Sequence, residues 1–498
     1  MDNEQMNTAR RQFLKRSALL TGGSVVTATT LQTLGAHSAW AASPQGLGAR
    51  GNSPMAAGYG PLVPVADQNG QQILALPEGF HYTTFGKVGD PLLNGGSVHA
   101  RNHDGMAAFP GPDGTVRLIR NQEMRNAPND FTIGVTGDPG TRYDVRAMGG
   151  TITIDYDPVH RRTVREFISL NGTIVNCAGG LAYADAGWIT CEETTAGPGQ
   201  GWAQKHGYSF LVPASANGTV PAIPITAMGR FSKEAAVADL ATGIVYQTED
   251  SGSNSGFYRY LPSDPSNLLA GGTLQMLKVT GTPQYDTRQN QTVGAMLPVE
   301  WVTIASPDPN LEGGAPGCFA QGFALGGARF YRLEGVFRGE GGSIFFVSTS
   351  GGNVKNGDVS GGFAEGYGQL WQYLPSSAGD KLVLIYESTG RAALDSPDNL
   401  CVTPSGGILF CEDDAGSADS AADTHPLAPG ITDVNRLIGL TRNGVPFEFA
   451  VNRLNDSEFA GACFSPDGNI LFVNIFGDGS PGSGMTCAIT GPWRRGPL

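Results

Sequence analysis

No two cysteines stand at Cys-x-x-Cys spacing, which excludes paired zinc knuckles. The chain also lacks a Gly-x4-Gly-Lys-[Ser/Thr] phosphate loop and a Gly-x-Ser-x-Gly elbow, so neither nucleotide-type phosphate binding nor a serine nucleophile on that turn is indicated. Its seven histidines do not cluster at ligand spacing. Basic residues are outnumbered by acidic ones, 32 to 45, for a formal charge of −13. No Lys/Arg-rich stripe follows the N-terminus, which argues against nucleic acid as a partner. Hardly any segment keeps a helical period over three turns, and after residue 41 nothing is apolar for long enough to span a membrane.

What is abundant is glycine. There are 72 in 498 residues, about twice the usual share of roughly 7%. They sit in Asp-Gly, Pro-Asp-Gly and Gly-Gly turns between short β-rich runs, which reads as an all-β chain of many strands. Arg10-Arg11-Gln12-Phe13-Leu14-Lys15, the moderately apolar run from Ser17 to Leu34 and Ala39-Trp40-Ala41 form a twin-arginine signal peptide, assigned to residues 1–41. That assignment predicts passage through the twin-arginine export machinery and a periplasmic or secreted location. Residues 42–71, rich in Gly, Pro, Ala and Asn, read as an extended lead-in, and residues 72–498 as one domain.

Within that domain a pattern recurs. A polar residue precedes a short apolar strand in Asp104 before Thr115–Ile119, Cys177 before Gly187–Thr190, Glu234 before Gly243–Tyr246, Glu334 before Ser343–Val347, Asp398 before Gly407–Phe410 and Glu458 before Asn469–Val473. The offset to the strand centre stays between roughly 10 and 13 residues while the spacing between copies varies from roughly 57 to 100. A repeat constant inside and variable outside predicts a six-bladed β-propeller with loop insertions, in which equivalent positions face one another around the axis. Asp, Cys, Glu, Glu, Asp and Glu in one ring are the residue types of an axial metal site. A second acidic set follows the strands, at Glu123, Cys191-Glu192-Glu193, Glu249-Asp250 and Glu412-Asp413-Asp414. Strand ends are expected across the blade from strand starts, so this set is read as separate unless the loops fold back. Its oxygens suit calcium, or are solvated loop ends.

Seven cysteines are an odd number for an exported chain, so at least one thiol stays unpaired, and Cys177 is the candidate. The other six read as small buried hydrophobes or unassigned disulfides.

Several of these stretches carry a resemblance. His103-Asp104-Gly105-Met106, Asn176-Cys177-Ala178-Gly179-Gly180, Thr190-Cys191-Glu192-Glu193, Thr248-Glu249-Asp250, Arg332-x-Glu334-Gly335, Pro397-Asp398-Asn399 and Cys411-Glu412-Asp413 stand in the order seen in the PhoX family of secreted alkaline phosphatases, which the chain resembles from about residue 77 to 493. The resemblance implies an iron (Fe3+) pair sharing the Cys177 thiolate, with calcium alongside. It implies Glu234 and Glu334 as carboxylates bridging iron and calcium, Asp398 as a calcium ligand and Arg332 as the phosphate clamp, and extends to Glu249, Glu412 and Asp413 as further metal ligands. Cys177 and Arg332 are thereby the catalytic candidates. The chain departs from the family pattern in its shorter length, in Lys233 where a histidine is expected, and in the segment between Gly180 and Trp188. His103 and His206 lie in matching motifs and read either as groups near the mouth or as ordinary satisfied histidines.

The activity this implies is hydrolysis of small phosphate monoesters. Cations would neutralise the equatorial oxygens and provide a metal-bound oxygen nucleophile, while Arg332 offers a planar fork that lysine cannot copy. Two alternatives use the same acidic ring. A calcium-dependent propeller hydrolase of lactonase type predicts indifference to loss of Cys177, and a non-catalytic calcium-binding propeller predicts no turnover.

Overall fold

In the computed structural model, residues 58–93, 97–360, 363–414 and 423–498 are described. The signal peptide and residues 42–57 of the lead-in lie outside them. The remainder of the lead-in is more than an extended arm: Leu62–Val65 is a strand paired antiparallel with Leu74–Pro77. Among the described residues one α-helix occurs, the short Cys318–Ala324.

The repeat read from the sequence is a hairpin. Its first strands are His103–Pro110, Asn176–Leu181, Lys233–Ala238, Leu333–Arg338, Pro397–Val402 and Phe459–Phe464. Each pairs antiparallel with the apolar strand that follows it, Val116–Gln122, Gly187–Glu192, Val245–Glu249, Ile344–Ser348, Ile408–Glu412 or Ile470–Ile475. Successive first strands pack on one another, and Phe459–Phe464 packs back on His103–Pro110, so they form a closed cycle. The antiparallel sheets are thus arranged as in a propeller. The second strands of the hairpins are buried on both faces, which explains why Ile470–Ile475 reads Ile-Leu-Phe-Val-Asn-Ile instead of alternating.

Apolar layers between neighbouring sheets hold the assembly together. Leu409, Cys411 and Phe449 of one sheet meet Phe459, Leu471 and Val473 of the next, all without exposure beyond trace amounts. Each such side chain contributes about 1.5–3 kcal/mol by leaving water. The last sheet is built from both ends of the chain, since Met485–Thr490 pairs with His81–Phe85 through Cys487 opposite Thr84. Around the inner cycle the backbones nearly touch. A Cβ on Gly180 would lie 1.7 Å from the Ala236 carbonyl oxygen, and one on Gly105 would lie 2.6 Å from the Ala178 Cα. Only glycine fits at those two approaches.

Candidate active site

Antiparallel pairing decides which residues meet. The residue just past each second strand lies beside the residue just ahead of its partner, and a backbone bond records it six times. Glu123 donates to the Asn102 carbonyl (2.9 Å), Glu193 to Val175 (2.8 Å), Asp250 to Ser232 (3.1 Å), Thr349 to Arg332 (2.9 Å), Asp413 to Ser396 (2.9 Å) and Phe476 to Glu458 (3.1 Å). The expectation that the second acidic set stands across the blade is therefore corrected: strand end and strand start share one edge, as hairpin geometry demands.

Five of the first strands then carry a β-bulge at one position, between His103 and Met106, Asn176 and Gly179, Lys233 and Ala236, Leu333 and Val336, and Pro397 and Leu400. A bulge frees one residue from the ladder and re-aims it. The residues freed are Asp104, Cys177, Glu234, Glu334 and Asp398. In the sixth unit the irregularity lies between Ala460 and Cys463, and Glu458 stands where Arg332 stands in the fourth, ahead of the strand. Glu458 is therefore not the register equivalent of the other five, although it reaches the same place. Side chains of the second strands fix the bulges. Asn121 donates to the carbonyls of Cys177 (2.8 Å) and Ala178 (2.7 Å), and Asn474 donates to that of Asp104 (2.6 Å).

Together these residues line one cavity: Asp104, Glu123, Arg125, Cys177, Glu193, Glu234, Arg332, Glu334, Asp398, Asp413 and Glu458. The next residue in each bulge faces the other way, and Gly105, Ala178, Ala235, Gly335, Asn399 and Ala462 belong to a separate, mainly apolar cavity of about 420 Å³. Within the acidic cavity three groups have their ligand atoms within 4.8 Å of one another: Asp104, Glu123 and Cys177; Cys177, Glu193 and Glu234; Glu234, Glu334 and Asp398. They form a row, with Cys177 common to the first two and Glu234 to the last two.

So many acids in one dry place cannot all carry charge unaided. Burial, then the neighbouring carboxylates, hold Glu234 and Glu334 well above the ordinary carboxylate range, and the same causes act on Asp398 and Glu458. Asp104 is pushed up to about 7 and Glu123 to about 8, both chiefly by burial. The Cys177 thiol is raised by burial and by Asp104. Both carboxylate oxygens of Glu234 are buried without a hydrogen-bond partner. An orphaned carboxylate among carboxylates is what a bound cation would satisfy, so the residues present fit a metal centre.

Strand alternation corrects two of the ligands expected from sequence. Glu249 and Glu412 are the last residues of their strands and face away from the cavity, into the sheets. Glu249 accepts from the Tyr258 hydroxyl (2.6 Å) and from the Gly256 amide (3.1 Å). Glu412 is held by Arg436 Nε (2.7 Å) and Nη2 (2.7 Å) and by the Asp395 amide (2.8 Å). Glu192 is the third member of this set, bound to His206 Nδ1 at 2.6 Å. One residue further on, Glu193 and Asp413 reach the cavity. Asp250 approaches it through Arg332, whose Nε donates to Asp250 Oδ2 at 3.1 Å and whose Nη2 lies 3.0 Å from Glu334 Oε1. Arg332 has a φ of +43°, a left-handed conformation that costs a non-glycine residue about 1–3 kcal/mol and recurs at functional sites.

Glu123 and Glu193 were legible only as members of the second set, and Arg125 had no sequence signal. His103 and His206 are buried and do not line the cavity. Lys233 points away from it too, bonded to Gln247 Oε1 (2.6 Å) and lying over the Phe231 ring. All seven cysteines are free and buried.

A closed cycle of antiparallel hairpins that gathers a thiol, carboxylates and two guanidinium groups at one edge is a propeller-like protein with a candidate metal centre. The profile of the alkaline phosphatase PhoX family matches residues 57–479. The chain belongs to that family and is a phosphatase-type hydrolase. Among solved structures, Pseudomonas fluorescens PhoX in complex with vanadate, a transition state analogue, is similar over 86% of this chain and 97% of its own, with a TM-score of 0.60 at 18% identity. A protein of unknown function from Dyadobacter fermentans matches over 83% of this chain and all of its own length (100%), at a TM-score of 0.42 and 9% identity. The Pseudomonas aeruginosa periplasmic gluconolactonase matches over 72% of this chain and 86% of its own, at a TM-score of 0.34 and 10% identity. Curated proteins give no match. Among the described residues no helix is long and apolar enough to cross a membrane.

Proposed function

We propose that the chain is a six-bladed propeller phosphatase that hydrolyses phosphate monoesters at an axial iron and calcium centre, and that it is exported by the twin-arginine route to act outside the cytoplasm. The observation that carries this reading is the row of three ligand groups joined through Cys177 and Glu234, with Arg332 at its edge. A shared thiolate suits a pair of transition-metal ions, whereas Glu234, Glu334 and Asp398 offer only hard oxygens and suit calcium. Export rests on the twin-arginine motif and on the family.

When bound, such cations neutralise phosphoryl oxygens and lower the pKa of water to the range where it attacks near neutral pH. The chain supplies the rest. Cys177 and Glu234, each common to two of the ligand groups, would be the residues to hold neighbouring ions. Arg332, pinned by Asp250 and Glu334, presents its remaining N–H groups to the phosphoryl oxygens in a planar fork. Asp104, Glu123, Glu193, Asp398, Asp413 and Glu458 line the rest of the cavity, a wall of acids that bound cations would neutralise.

Metal analysis of protein exported from a twin-arginine-competent host, paired with p-nitrophenyl phosphate hydrolysis, tests this. Iron and calcium bound together with phosphate release is the expected result. Calcium without iron, with lactone hydrolysis or no turnover, would favour one of the two alternatives.

A further inference from the structure

Two guanidinium groups reach the cavity. Arg332 stands at the Glu334 end of the row, and Arg125 stands at the Glu123 end. Arg125 Nη2 donates to Glu193 Oε2 at 2.7 Å and is paired with Glu123, so it touches one carboxylate from each of the two groups that share Cys177.

Its backbone is anchored while its side chain is free. Met124, just before it, is 1% exposed in the apolar core and its carbonyl accepts from the Val175 amide at 3.1 Å. The Arg125 side chain is 62% exposed. One nitrogen makes both acidic contacts, and among the described residues no hydrogen bond is made by Nε or Nη1. Of its two carboxylate partners Glu123 is buried and Glu193 largely so, yet a contact made through one nitrogen leaves the rest of the guanidinium outside the pair. A guanidinium carries five N–H donors in one plane. Here most of them are left over beside the place where a phosphate dianion has to arrive.

We propose that Arg125 is a second substrate-contacting residue, donating to phosphoryl oxygens of a phosphate monoester at the Glu123 end of the row while Arg332 donates at the Glu334 end. This rests on the phosphatase reading of the same cavity. Two forks fix the orientation of a dianion where one fork leaves it free to pivot, and they favour a monoester over a singly charged diester.

The test uses metal-loaded wild type, Arg125→Gln and Arg125→Lys, with inorganic phosphate as the probe. Phosphate affinity is read by calorimetry, iron and calcium by elemental analysis, and p-nitrophenyl phosphate kinetics alongside. Arg125→Gln is expected to keep its metals and melting temperature and to bind phosphate about 10- to 100-fold more weakly, the loss of a charge-assisted hydrogen bond. KM is expected to rise more than kcat falls. Arg125→Lys, which keeps the charge and loses the fork, is expected between the two and serves alone if the glutamine variant fails to fold. Phosphate affinity within twofold of wild type in fully loaded variants would overturn the proposal. Loss of metal with unchanged phosphate affinity per loaded molecule would overturn it too, by making Arg125 a brace for Glu123 and Glu193 only. Wild type that neither binds nor releases phosphate would instead bring down the phosphatase reading itself.

Discussion

Glu412 and Asp413 are neighbours in the chain and face opposite sides of their sheet. The first is clamped inside by Arg436, while the second lines the acidic cavity. Their substitutions should therefore separate stability from function. Glu412→Gln leaves the buried Arg436 guanidinium with Glu448 as its one remaining carboxylate, and breaking a buried pair of this kind costs up to about 3–5 kcal/mol. Asp413→Asn should leave the unfolding midpoint measured in chelator nearly unchanged and alter metal content or turnover. Chemical denaturation of both variants checks this, and a large stability loss in Asp413→Asn would contradict the division.

Cys177→Ala removes the ligand common to two groups of the row. Loss of iron and of turnover with the sheets intact is expected, read by elemental analysis, phosphatase assay and circular dichroism. Full iron content with full activity would show that the thiol is not a ligand.

Arg332→Lys keeps the positive charge and loses the planar fork. Turnover and inhibition by inorganic phosphate should weaken together, each by roughly tenfold or more. Unchanged inhibition would remove Arg332 from the phosphate contacts.

Chelation should lower the melting temperature, because an ion that binds only the folded chain stabilises it by mass action. The shift should shrink in Glu234→Gln, which loses the carboxylate shared by the second and third groups. A chelator-insensitive melt in the wild type would argue against bound calcium.

His206 is buried between Glu192 and Asp144. Burial alone would lower its pKa, but these two carboxylates win and raise it to about 9. A raised folded-state value means a stabilising contribution fully present below the unfolded pKa of about 6.5 and lost as pH rises through about 9. Stability should accordingly decline between those values in the wild type, and the decline should flatten in His206→Gln. Equal pH slopes in the two proteins would show that His206 is not the group responsible.

The repeat was legible because it is chemical. Asp104, Cys177, Glu234, Glu334 and Asp398 stand at a constant offset from an apolar strand, and the bulge that frees them occupies one register position in all five units. Faces of strands were harder. In Glu249-Asp250 and Glu412-Asp413 two acids stand together, and only the burial of one against Tyr258 or Arg436 tells which is which. Those partners lie on later strands, so a single-residue reading had no access to them. Arg125 was invisible for a related reason, since its acidic partners include Glu193, 68 positions away.

Pairing of His81–Phe85 with Met485–Thr490 has a temporal meaning. Contacts between such distant positions pay their loop-closure cost before they return any stability, so this seam should be among the last parts to form. Until translation has delivered the final strand the sheet of the last repeat lacks its outer seam, although the three ligand groups all come from the first five repeats. The closing seam therefore carries none of the chemistry it encloses, and serves as a clasp.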